Sequence, residues 1–125
     1  MSYIDGFVLP LPNGKEEEYR AIAQTFAEKA TKLGAIASVE AIGDGLEHGH
    51  TTDFFRAVQA KEDENIVFSF IIWPDKATRD GGWEKIMADP EMQPGAVEMP
   101  FDGKRMFWGG FNPLLNTLEK AAEPA

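Results

Sequence analysis

The stretch from Ile66 to Trp73, IVFSFIIW, is apolar at both alternating sets of positions apart from Ser69. Side chains along a strand point to opposite faces in turn, so a run of this kind has to be covered on both sides. Pro74 ends it, and Asp75 stands where a helix cap is wanted. The chain must therefore supply a sheet with this strand inside it and a layer for each face.

The remaining segments provide the first of those layers. YIDGFVLPLP alternates, with Tyr3, Asp5, Phe7 and Leu9 on one side and Ile4, Gly6 and Val8 on the other, and its prolines are expected to stop ladder pairing. Asn13 is placed to cap a helix from about Lys15 to Leu33, with Glu16 reaching back and Glu17 and Glu18 complementing the first-turn dipole. Tyr19, Ile22, Ala23, Phe26, Ala30 and Leu33 line one face of it, and Gly34 offers a left-handed stop. AIASVEAIGD reads as a second strand, ended by the glycines of GDGLEHGH.

In DFFRAVQA, residues 54–60 fit either a strand or a helical turn or two; the strand is preferred because KEDE then forms a hairpin tip leading into NIVFSFIIW. A second helix runs from Asp75 to about Met87, closed by Asp89-Pro90. EMQPGAVEMPFDG is rich in turn formers, and KRMFWGGF resumes alternation as a last strand. Asn112-Pro113 suits the start of a short helix with Leu114, Leu115 and Leu118 inward, and 117–125 reads as a frayed tail. This order gives one α+β domain over 1–125: an antiparallel sheet with its helices on one face.

Two helices cover one side of such a sheet, which leaves the second apolar face open. A second copy of the chain is the expected cover. A standard interface hides roughly 800 Å² per partner, a gross gain on the order of 20 kcal/mol before association costs. The alternative is a monomer in which 89–103 folds over that face.

Composition narrows the function classes. A net charge of −9 opposes nucleic-acid binding, which needs a basic stripe that displaces counterions. With no cysteine there is no disulfide, thiolate nucleophile or zinc–sulfur site. No window approaches the roughly 18 apolar residues of a membrane span, and MSYIDGFVLPLPNG lacks the pattern of a secretory signal, so a cytoplasmic protein is expected.

YIDGFVLPLP, VFSFIIWPDKATRD, MADPEM and MPFDGKRMFWGGF, in this order, resemble the signature segments of the YbaA-like bacterial proteins of unknown function, from Tyr3 to about Phe111. The resemblance implies a ferredoxin-like subunit that pairs through its sheet, as in the dimeric α+β barrel superfamily. It implies no established activity. Some relatives carry a label naming signal recognition particle RNA, for which the acidic balance gives no physical support.

Five residues are candidates for a site: Asp5, Glu40, Trp73, Arg79 and Arg105. Asp5 and Glu40 sit in strands among apolar neighbours, where a carboxylate needs a cation or donor, and Arg79 and Arg105 are the available cations. One reading is buried ion pairing; the other is a carboxylate of shifted pKa acting as general base beside an arginine that holds an anionic ligand. Trp73 lies either toward the helices or toward the dimer cavity. Arg79, four residues before Trp83, belongs on the inner face of the second helix. His48 and His50 share a glycine-rich loop with Glu47 and Asp53, and a solvated loop is preferred to a metal site. The expected protein is a homodimer that binds a small molecule in the dimer cavity near Trp73, with no cofactor, metal, nucleic acid or membrane. The alternatives are a cofactor-independent enzyme of the monooxygenase or isomerase kind that the superfamily hosts, and a protein-interaction dimer.

Overall fold

The computed structural model describes residues 1–93 and 95–119. Its elements follow the order β1 (Tyr3–Pro12), α1 (Glu16–Lys32), β2 (Ala37–Ile42), α2 (Phe54–Ala57), β3 (Glu64–Trp73), α3 (Lys76–Ala88) and β4 (Phe107–Phe111). The strands form one antiparallel sheet in the order β2-β3-β1-β4, the ferredoxin-like α+β arrangement expected from the sequence. Among the described residues no helix is long and apolar enough to cross a membrane.

Register assigns the faces. Tyr3 pairs with Trp73, Asp5 with Ile71, Phe7 with Ser69 and Leu9 with Val67, and this odd-numbered set faces α1 and α3. The core beneath the helices gathers Tyr3, Ala30, Ala35, Ile71 and Trp73, with Phe26 and Trp83 packed on it. A neighbouring cluster joins Leu9, Leu11 and Val67 to Phe101. Gly34, at φ 113°, takes the left-handed turn after α1, where a side chain would also strike Thr78 of α3.

The even-numbered set faces the other way, and there the cover is partial. The segment that the sequence reading preferred as a strand, 54–60, instead contains the helical turn α2, capped by Asp53, whose carboxylate accepts from the Arg56 amide at 2.7 Å. That cap outweighs the β-like apolar run, and Val58 with Phe55 and Leu46 packs on Val8 and Ile66. Beyond this patch Val39, Phe68, Phe107 and Phe111 stay exposed. The described residues of 89–103 do not cover them; Met92, Met99 and Phe101, for example, lie on the helix side.

Three local expectations also change. β1 continues through Pro10 to Pro12 because β4 pairs with it only from Ile4 to Val8, so beyond Val8 missing amides on that side break no ladder bond. No side chain caps α1 at its first residue; the Gly14 amide donates to Glu16 at 3.0 Å. The short helix expected after Pro113 does not form, and Leu114, Leu115 and Leu118 are exposed. A segment this short nucleates poorly, and Asn116 and Glu119 tie it to Ser2 through polar bonds instead. Of the expected tail, 120–125 lies outside the described residues.

Candidate functional site

The helix side of the sheet carries two polar clusters of different character. In the first, β1 directs the buried Asp5 carboxylate between β3 and α3. Its Oδ2 accepts from the Trp73 indole at 2.9 Å and the Trp83 indole at 2.8 Å, while Oδ1 accepts from Arg79 Nη2 at 2.7 Å. Arg79 Nε lies 3.1 Å from both oxygens. The sequence arranges this economically. Pro74 ends β3, Asp75 caps α3 by accepting from the Thr78 amide at 2.7 Å, and the first turn of the helix then delivers Arg79, with Trp83 one turn later. Arg79 also stacks over the Tyr3 ring at 5.0 Å, and Asp5 foremost holds its guanidinium pKa above the usual value. The carboxylate is saturated with donors. This clamp joins two strands to a helix and leaves no free group for a ligand.

The second cluster borders a cavity of about 360 Å³ between the sheet, α1 and a roof drawn from 91–93 and 95–101. Phe7, Phe26, Trp83 and Phe101 contribute aromatic walls, and Met92, Met99 and Met106 line it with flexible thioethers. Glu40, from β2, and Tyr19, from the first turns of α1, form its polar end: the Tyr19 hydroxyl donates to Glu40 Oε1 at 2.6 Å. Ser69, buried and directly across the ladder from Glu40, completes the group. Burial first of all raises the Glu40 pKa above the ordinary carboxylate value, against the opposing effect of the hydroxyls of Tyr19 and Ser69. Glu40 is nevertheless an exposed residue, because β2 is the edge strand, and the desolvation acts only where its carboxylate meets Tyr19 and Ser69. Burial, then the bond to Glu40, raises Tyr19 as well, so that it remains a phenol and a donor at neutral pH.

The roof over this cavity is pinned from outside. Lys29 of α1 donates to Asp89 at 2.7 Å and to Glu91 at 3.2 Å, and Asp89 caps the turn Pro90–Met92 by accepting from the Glu91 amide at 2.9 Å. Lys29 foremost lowers the Asp89 pKa.

Of the five residues named from sequence, the structure brings Asp5, Trp73 and Arg79 together and sets Glu40 in the adjoining cavity, with Trp83 touching both. Asp5, Glu40 and Trp73 face the helices rather than the open side of the sheet, and Arg79 reaches down to Asp5 from α3. Arg105 joins none of them. It forms a two-pronged pair with Glu64 at 2.6 and 2.7 Å, and further bonds to Asp102 and the Gln59 carbonyl. His48 stacks on Phe55 at 4.5 Å with Nδ1 3.6 Å from Asp53. No group of three or more His, Asp or Glu side chains among the described residues is placed to hold a metal ion. Sequence reasoning missed Tyr19 as a polar group and the 91–101 roof. The available signals were a phenol at the start of an amphipathic helix and methionines spaced through a turn-rich segment.

Comparison with known proteins places these observations in a family. Residues 2–103 match the model of a protein family of unknown function, DUF1428. The uncharacterised protein YbaA of Escherichia coli strain K12, and that of Shigella flexneri, are each 42% identical over 116 residues, 93% of this chain and 99% of theirs. Among solved structures, a mutant of SnoaB, a cofactor-independent oxygenase from Streptomyces nogalater, superposes with a TM-score of 0.57 at 12% identity, over 94% of this chain and 98% of that one. That likeness is one of fold. The match to the family model and the identity to the YbaA proteins bear out the resemblance in the signature segments: the chain belongs to the DUF1428 family of proteins of unknown function.

Proposed function

We propose that the protein is a homodimer whose subunits each bind an apolar, largely aromatic small molecule between the sheet and α1. The observation that carries this reading is the cavity of about 360 Å³, walled by aromatic rings and methionines, with its polar groups converging at Glu40 and Tyr19. Binding sites for small molecules are typically concave and apolar, with a few placed polar groups, in this range of volume. The donor-saturated Asp5 clamp serves as the rigid wall of that site through Trp83.

Dimerisation is supported by the exposed rings of Phe68, Phe107 and Phe111, which lie together on the face of the sheet away from the helices. Leu114, Leu115 and Leu118 follow Phe111 in the chain and are exposed too, and they extend the same apolar character past the end of β4. The net charge of −9 disfavours a nucleic-acid partner.

A thermal-shift panel of two-ring aromatic ketones and phenols tests the pocket, with Ala23→Trp as the comparison, because Ala23 lines the cavity and a large ring there fills it. Compounds that stabilise the native protein are expected to lose their effect in Ala23→Trp. Undiminished stabilisation of that folded variant would place the site elsewhere.

A further inference from the structure

We infer that Glu40 and Tyr19 form a proton-transfer pair, and that the cavity catalyses enolisation of a carbonyl compound whose acidic C–H reaches Glu40. This rests on the pocket proposed above and adds chemistry to it.

The geometry carries the inference. A carboxylate and a phenol meet at 2.6 Å at the polar end of a cavity that is otherwise aromatic and thioether. Glu91 is the other acidic side chain lining the cavity, and it is engaged by Lys29 at 3.2 Å. The buried Asp5 is already used by its clamp, and Asp53 by the cap of α2. Of the two acids lining the cavity, Glu40 is thus the one that meets no cation among the described residues. Partial desolvation of the carboxylate where it meets Tyr19 at the cavity edge makes it a stronger base than a fully solvated one, and the phenol stays protonated. Its open edge gives the transferred proton a route to solvent.

In the step, the C–H bond beside the ligand carbonyl breaks and its proton moves to the Glu40 carboxylate. The electron pair of that bond becomes the new carbon–carbon π bond, and the carbonyl π pair moves onto oxygen. Once protonated, Glu40 is a poorer acceptor, so the Tyr19 hydroxyl turns to donate to the enolate oxygen, where charge has developed. Return of the proton from Glu40, to the same carbon or to a conjugated one, restores the carboxylate. No oxidant or reductant is consumed. The substrate class is an apolar ketone of about two fused rings, the size that a cavity near the lower end of the usual range of roughly 300–1,000 Å³ accepts.

The test uses β-tetralone, a fused aromatic ketone. Its binding is followed by quenching of tryptophan emission, since Trp83 lines the cavity. Exchange of its acidic protons in deuterium oxide is followed by NMR against the buffer rate. The native protein is expected to accelerate exchange saturably. Glu40→Gln should lower that rate about 10²- to 10³-fold, and Tyr19→Phe about tenfold, with dissociation constants within about threefold of the native protein. The bound rate should fall as the pH drops through a Glu40 pKa above the ordinary carboxylate range. Binding without acceleration, or full acceleration by Glu40→Gln, overturns the proton-transfer inference and leaves the pocket standing. A folded protein that does not bind β-tetralone overturns both.

Discussion

Asp5→Asn is the sharpest perturbation of this fold, because it keeps the shape and exchanges one acceptor oxygen for a donor. In the native protein Oδ2 receives two indole N–H groups and Oδ1 receives the guanidinium. If the asparagine oxygen faces the indoles, its amide group meets Arg79; if it faces Arg79, the amide meets both indoles. Either way donors confront donors. Trp73 is 0% exposed, so its N–H has no route to water, and a stranded buried donor costs about 1–3 kcal/mol. Breaking a buried ion pair adds up to about 3–5 kcal/mol. That figure shrinks here, since the Arg79 side chain keeps 23% of its surface and a second partner in Asp80 at 3.0 Å. The sum is about 3–5 kcal/mol, or roughly 10–20 °C in Tm for a chain of this length. Urea denaturation of both proteins at the same concentration measures it, so that mass action enters the two alike. A midpoint corresponding to less than about 0.5 kcal/mol of loss would refute the account of Asp5 as the central acceptor.

Other consequences can be measured on the same material. Gly81→Ala should stabilise α3 by about 0.5–1 kcal/mol, whereas Gly82→Ala should destabilise by about 1–3 kcal/mol. A methyl group at Gly81 meets nothing within 4 Å, but at Gly82 it comes within 2.8 Å of the buried Trp73 ring; matching melting temperatures would refute this. Glu64→Gln should cost about 2 kcal/mol at neutral pH by weakening the charge-assisted bonds to Arg105. Because Arg105 foremost holds the Glu64 pKa below the ordinary value, its contribution is present above that value and lost as pH falls through the lowered one, so the two proteins should converge in acid. Phe68→Glu should turn a species of about twice 13.8 kDa into a monomer in sedimentation while leaving a folded subunit, and a monomeric native protein would end the dimer proposal.

The alternation in β1 and β3 was legible residue by residue, and so was the Arg79–Trp83 spacing, because strand and helix periods convert directly into faces. What one chain's pattern does not carry is which face receives the helices. Tyr3, Asp5, Phe7 and Leu9 are as apolar as Ile4, Gly6 and Val8 apart from Asp5, and that carboxylate points inward because two indoles and a guanidinium from distant positions meet it there. Position 54–60 failed for a similar reason. Its fate hung on one cap at Asp53, a local bond that competes with an apolar run of the same length. The cavity was hidden more deeply, since Glu40 and Tyr19 become neighbours only when α1 lies across β2, and the 91–101 roof has no periodicity to read.

Ser69 borders the cavity, while Phe68 and Phe70, on either side of it, look the opposite way into the open face. The sheet is thus a party wall one residue thick, between the proposed ligand on one side and the proposed partner on the other. If a ligand tightens the association of two subunits by some factor, association must tighten the ligand by the same factor, since free energy around the cycle closes. For the proposed dimer and ligand, dilution would then act as an antagonist: a solution thin enough to separate subunits would weaken the hold on the small molecule by that same factor, without any competitor being added.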